Sequence, residues 1–265
     1  MQWEELTSPE LVNVLKQTDI CVIAMGVIER HSEHLPLGTD YLIGHHIACL
    51  AAEKVPAVVF PPFYFGQIYE ARCFPGTVAI PPRLLLELVQ SVFDEIGRNG
   101  FKKIIAYNAH GGNWHLLQFL AQCSLWEEKP YTLYIPLTHL APEEEQKWSE
   151  MRESAFDGHA GETETSLVLG SYPELVDTES IPSNPGAPLQ RLSHLPETFT
   201  GIGWYANHPD HYAGDASVAS TEKGIRLISL SVDSLAQYIV AVRADEVAPA
   251  LTREFFKRAS RIGGH

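Results

Sequence analysis

Basic residues are scarce in this chain. Its 19 Lys and Arg face 33 Asp and Glu, a formal net charge of -14. They occur singly or in pairs, never as a block. A surface of that sign repels phosphate backbones and anionic bilayers, so neither nucleic acid nor membrane is expected as a partner. Cysteine is also sparse. Cys21, Cys49, Cys73 and Cys123 are widely spaced with no C-x-x-C pair, the pattern of free thiols in a reducing compartment. No apolar stretch approaches the roughly 18 residues that a membrane span needs. The opening MQWEELTSPE has neither the basic start nor the apolar run of a secretory leader. A cytoplasmic protein is the expectation.

What is present is enough for a large core. The 265 residues are 45% hydrophobic and only 20% charged, which argues against disorder and for one globular domain over 1–265. Segment 178–200 is rich in Pro, Ser, Thr and Gly. Only about 65 residues follow it, too few for an ordinary second domain, so it reads as a surface excursion.

Short apolar runs alternate with helical patterns. Ile20–Met25, Ala57–Phe60, Lys103–Tyr107 and Tyr131–Ile135 read as buried parallel strands. Leu85, Leu88, Val92 and Ile96 recur at helical spacing before Gly100, and Ile228, Val232, Leu235, Ile239 and Val242 repeat the pattern. Alternation of this kind predicts an α/β fold, a three-layer αβα sandwich around a mostly parallel sheet. Ligands of such sheets bind beyond the carboxyl ends of the strands. Two predicted strands run directly into GVIERHSEHLPLGTD and NAHGGN, both polar and both holding histidine.

The first of these segments carries Glu29, His31, Glu33, His34 and Asp40. A second carries His110, and a third, DGHAGETETS, carries His159, Glu162 and Glu164. Carboxylates mixed with imidazoles suit Zn²⁺, Mn²⁺ or Fe²⁺ better than Ca²⁺. The three segments together supply donors of both kinds. They suffice for two divalent ions bridged by one carboxylate and one hydroxide, the hydroxide attacking a carbonyl. His159 is left to move protons. Glu164 is expected to orient a ligand, and His34 to hydrogen-bond a ligand or contact the substrate. His45 and His46 read as ordinary helix residues, Glu70 as a loop residue able to enter the cleft, and Tyr205, His208 and His211 as pocket wall.

At these residues the chain resembles the creatininase (creatinine amidohydrolase) family over nearly its whole length. Glu29-Arg-His31-Ser-Glu-His34-Leu-Pro-Leu-Gly-Thr-Asp40, FPGT (74–77), NAHGGN, HAGETETS and GDASVASTEKG (214–224) are similar to family segments, in the family's order. The resemblance implies a binuclear centre, with Glu29, Asp40 and His110 on one ion and His31, Asp40 and Glu162 on the other. It also implies C–N bond hydrolysis in a cyclic amide or formamide, a small-molecule substrate, and a homo-oligomer, a hexamer built as a trimer of dimers. Creatinine-hydrolysing members carry a Glu where this chain has Gly112, which hands that ligand role to Glu162. They also carry tryptophans near the stretch before His159, where 154–158 has none, so a true creatininase is not expected. Ser32-Glu33 replaces a more usual Gly-Pro and puts an extra carboxylate beside the metals. Two other functions remain open: a metal-dependent isomerase or lyase on a carbonyl-containing sugar, and a catalytically silent metal-binding protein.

Overall fold

β1 (Ile20–Met25) is buried at every position, as a β-branched run in a sheet covered on both faces must be. β2 (Val58–Val59), β3 (Lys103–Asn108) and β4 (Thr132–Tyr134) join it in a parallel sheet, in the order β2-β1-β3-β4. β1 and β3 pair over six residues, from Ile20 opposite Lys103 to Met25 opposite Asn108. Their carboxyl ends therefore finish side by side. All four expected strands exist, and the two at the edges are shorter than the sequence suggests.

The computed structural model describes residues 1–260. Nine α-helices surround the sheet among the described residues: α1 (Ser8–Val14), α2 (Thr39–Lys54), α3 (Pro82–Arg98), α4 (Asn113–Cys123), α5 (Pro142–Met151), α6 (Glu162–Ser171), α7 (Gly203–Asn207), α8 (Thr221–Ala244) and α9 (Val247–Ala259). Ile20, Val22 and Ala24 face one core with α2, α6 and α8. Cys21, Ile23 and Met25 face the other with α1, α3 and α4. The result is the αβα sandwich.

Three of these helices lack a sequence signal for a physical reason. α5 buries only Glu144 and Trp148, α9 buries nothing, and α1 buries only Val14, so none needs an apolar stripe. α8 adds a correction. Over 24 residues it is long and apolar enough by composition to cross a membrane, although polar residues interrupt it. In the fold, 56% of its most apolar window is buried, among residues of α2, α6 and the sheet.

Two glycines set how the layers approach at the carboxyl end of the sheet. A Cβ on Gly44 would lie 2.4 Å from the Cβ of Ala109, so α2 passes tightly over the end of β3 and brings its first turn beside the loop that follows. A Cβ on Gly224 would lie 1.8 Å from the carbonyl oxygen of Ser166, so α8 lies directly on α6. Gly224→Ala is expected to destabilise the protein by about 3 kcal/mol, because the clash is with backbone and cannot be relieved by a rotamer. Urea unfolding checks this, and a loss below about 0.5 kcal/mol would contradict the close contact.

Candidate metal centre

The loops leaving β1 and β3 meet above the sheet, and the first turns of α2 and α6 close on them. Glu29 and His31 come from the first loop, Asp40 from the start of α2, His110 from the second loop, and His159 and Glu164 from the entry to α6. Glu29 and His31 are fully buried and Asp40, His110 and His159 nearly so. His31 Nε2 lies 3.1 Å from Asp40 Oδ1 and 3.7 Å from Glu164 Oε2. His110 Nδ1 lies 2.9 Å from both Glu29 Oε1 and Asp40 Oδ2. Those two carboxylate oxygens, and His110 Nε2, nonetheless lack hydrogen-bond partners. The donor atoms converge on shared points rather than on one another. That is the geometry a cation satisfies.

Three sets of donor atoms gather within 4.8 Å: Glu29, Asp40 and His110; His31, Asp40 and Glu164; and Glu29, His31 and His159. Glu29, His31 and Asp40 each belong to two of them, so the sets overlap and the residues present fit divalent cations held on shared donors. The backbone is bent to achieve this. Ser32, Ala160 and His211 hold φ of 55°, 53° and 53°, a left-handed conformation that non-glycine residues adopt at a cost and that clusters at functional sites.

Charge dominates the interior of the site. Burial resists a proton on His31, yet Asp40 beside it prevails and lifts it to about 10. His110 rises well above its ordinary value against the same burial, through Glu29 and Asp40. Burial likewise opposes ionisation of Glu29, which the neighbouring His110 holds well below the carboxylate range. Burial, aided by the charge of Asp40, pushes Glu164 up to about 7. Burial and the adjacent His31 bring His159 down to about 3.

Glu162 is the expected ligand that stands elsewhere. It is fully buried, but its oxygens receive Lys223 Nζ at 2.6 Å and the backbone N–H groups of Glu153 and Ser154. Residues two apart on a helix point about 200° apart, so Glu162 turns toward α8 while Glu164 turns into the cluster. Glu164 thus occupies the place the sequence reading gave to Glu162, instead of standing behind a ligand. His34 also lies outside the donor sets: its Nε2 bonds Thr165 Oγ1 at 2.9 Å, tying the first loop to α6. Glu33 is exposed and pairs with Arg30, and Glu70 accepts from Gln67 Nε2 at 2.7 Å, so neither reaches the centre.

His211 does more than line a wall. Its Nε2 lies 2.6 Å from Glu29 Oε2, and Trp204 Nε1–H donates to its Nδ1 at 3.0 Å. The indole makes Nδ1 an acceptor, so Nε2 carries the hydrogen and donates it to Glu29. Glu29 is thereby fixed with its other oxygen facing the centre. The only sequence signal was a tryptophan and two histidines within eight residues of the late loop.

Such a site, beyond the carboxyl ends of a parallel sheet, defines the class: an αβα protein with a carboxylate–imidazole metal centre. A sequence profile described as creatinine amidohydrolase matches residues 4–239, and the chain belongs to this creatininase family of hydrolases. It is 30% identical to a mycofactocin precursor peptide peptidase of Mycolicibacterium smegmatis over 227 residues, 82% of this chain and 83% of that one. A 3-dehydro-scyllo-inosose hydrolase of Thermotoga maritima is 25% identical over 257 residues, covering 89% and 82%. A crystal structure of creatinine amidohydrolase (creatininase) superposes with a TM-score of 0.77 at 23% identity, covering 92% of this chain and 98% of that one. A structure described as "Creatininase Mn" does so with 0.74 at 22%, covering 92% and 99%.

Two outcomes follow. Glu164→Gln is expected to lower the number of divalent ions bound, whereas Glu162→Gln leaves it intact and destabilises the fold by about 3 kcal/mol, by leaving Lys223 without its buried partner. Metal analysis and urea unfolding separate the two. Trp204→Phe, which touches no donor atom, is expected to weaken Mn²⁺ binding about 10-fold or more by freeing the His211 tautomer. Calorimetric titration reads it, and unchanged affinity would refute the positioning role.

Proposed function

We propose that the protein is a two-metal amidohydrolase that cleaves a C–N bond in a small non-peptide molecule, such as a cyclic amide or a formamide. The observation that carries this reading is the sharing of Asp40 between two donor sets, buried except at Glu164. Mixed oxygen and nitrogen donors suit Zn²⁺ or Mn²⁺, with Fe²⁺ tolerated. Glu29, Asp40 and His110 would hold one ion, and His31, Asp40 and Glu164 the other. Cations so held supply Lewis acidity toward a carbonyl and acidify water.

The rest of the chemistry belongs to side chains. His159 Nε2–H donates to the Arg30 carbonyl oxygen at 2.9 Å, which leaves Nδ1 as a free lone pair 3.7 Å from Glu164 Oε2. An imidazole so fixed accepts a proton and returns it to a departing nitrogen. Glu164 takes an N–H from Ala160 at 2.5 Å, which holds its carboxylate toward His31 and His159. The relatives' named activities include a peptidase and two hydrolases, and hydrolysis is what they share. The depth of the centre favours small amides over peptides.

We also propose a cytoplasmic homo-oligomer, a hexamer built as a trimer of dimers. Exposed Phe119, Trp126 and Phe199 support assembly, and the free cysteines support a reducing compartment. A monomer by light scattering would overturn the assembly.

Chelation is expected to abolish hydrolysis, and Zn²⁺ or Mn²⁺ to restore it, in a screen of formamides, cyclic amides and small peptides. His159→Asn should keep both ions and lose about 10²- to 10⁴-fold in kcat. Asp40→Asn should lose both ions. Two equivalents retained by that variant would end the two-metal reading, and turnover of peptides alone would move the substrate class to them.

A further inference from the structure

The donor cluster is sealed on nearly every side. The side chains of Glu29 and His31 are 0% exposed, and those of Asp40, His110 and His159 are 3%, 8% and 8%. Glu164 departs from this at 29%. Glu164 and Asp40 both line a half-open cavity of about 290 Å³ between α2, α5, α6 and α8. Ile43, Leu140, Trp148 and Leu227 give it an apolar wall, with His139, Thr163 and Ser231 also in the lining, and Leu140, Trp148 and Leu227 are themselves buried. Arg152 and Glu145, of opposite sign, also border it.

A half-open cleft beside the donor carboxylates is the kind of concavity in which small molecules bind. An apolar cavity of about 150 Å³ already accommodates benzene, so this one takes an aromatic ring with a short extension. Against the apolar part of this lining, away from Arg152 and Glu145, an ionised group would be desolvated with no partner, at a cost of several kcal/mol. The apolar stretch of Ile43, Leu140, Trp148 and Leu227 therefore selects an uncharged, apolar substituent, attached to whatever reaches the Asp40–Glu164 end.

We propose that this cavity is the binding site for the acyl side of the substrate, and that the substrate is a neutral amide bearing an aromatic or branched aliphatic group. The inference rests on the two-metal reading and adds the substrate class to it. The carbonyl meets the Asp40–Glu164 end, and the apolar substituent lies among Ile43, Leu140, Trp148 and Leu227.

Hydroxamates test this without knowledge of the substrate, because R–CO–NHOH chelates a divalent ion while R projects away from it. Calorimetric titration of the Mn²⁺-loaded protein is expected to show benzohydroxamate binding at least 10-fold more tightly than acetohydroxamate, from the apolar area that R buries. Leu227→Trp and, separately, Leu140→Trp should each fill the cavity and erase that gain while acetohydroxamate affinity stays. Benzohydroxamate should also perturb Trp148 fluorescence, and the signal should vanish in Trp148→Phe. Affinities that ignore R, a gain that survives both tryptophan variants, or tighter binding of a carboxylate-bearing hydroxamate would each overturn the proposal and leave the metal centre standing. Failure of every hydroxamate to bind the Mn²⁺-loaded protein would sink both.

Discussion

Three carboxylates, Glu29, Asp40 and Glu164, are held together where water cannot reach two of them. Negative charge confined in this way must be balanced locally, because desolvating an uncompensated carboxylate costs several kcal/mol. Three imidazoles, His31, His110 and His159, share the space, and protons on two of them provide the balance until cations do. The same field that raises His31 and His110 favours a divalent cation, whose uptake would displace protons from the residues that hold it. The strained residues Ser32, Ala160 and His211 are best understood as the backbone's share of that cost.

The sheet makes the convergence possible. β1 and β3 are neighbours in register, so the loops at their ends start from adjacent points, and the close passage of α2 at Gly44 brings Asp40 to both. The remaining donors arrive on a separate device. His159 and Ala213 exchange backbone hydrogen bonds of 2.8 and 2.9 Å, which pins the entry of α6 to the late loop and carries His211 to Glu29. Glu162 and Lys223 then lock α6 to α8 beneath it. One acidic segment thus serves two purposes, with its first carboxylate holding the scaffold and its second facing the chemistry.

The periodicity of the sequence exposes what depends on burial. β1, β3, α3 and the apolar stripe of α8 are legible because their side chains must face a core. Elements such as α5 and α9 are not, since α9 buries nothing and the two buried residues of α5 oblige no apolar stripe. At the site, Glu29, His31, Asp40 and His110 are legible because each leaves a strand end or opens a helix at a recognisable spacing. The choice between Glu162 and Glu164 is not. Both are acidic, both lie in the first turn of one helix, and only the azimuth of that helix decides which faces inward. His211 is illegible for a related reason: its role depends on a hydrogen bond to a residue 182 positions away.

Gly112 shows why the carboxylate comes from α6 at all. A Cβ there would fall 2.5 Å from His110 Nε2 and 2.8 Å from the Gln67 carbonyl oxygen, so the loop after β3 has no room for a side chain at that position. The missing donor must arrive from another element, and Glu164 is the carboxylate positioned to supply it. That substitution has a further consequence. A ligand borne on α6 borders the cavity shared by α2, α5 and α8, so the residue that completes the second donor set also faces the space beside it. Changes in how α6 packs on α8 would then alter cation binding and cavity shape together, which makes the Gly224 contact a determinant of both.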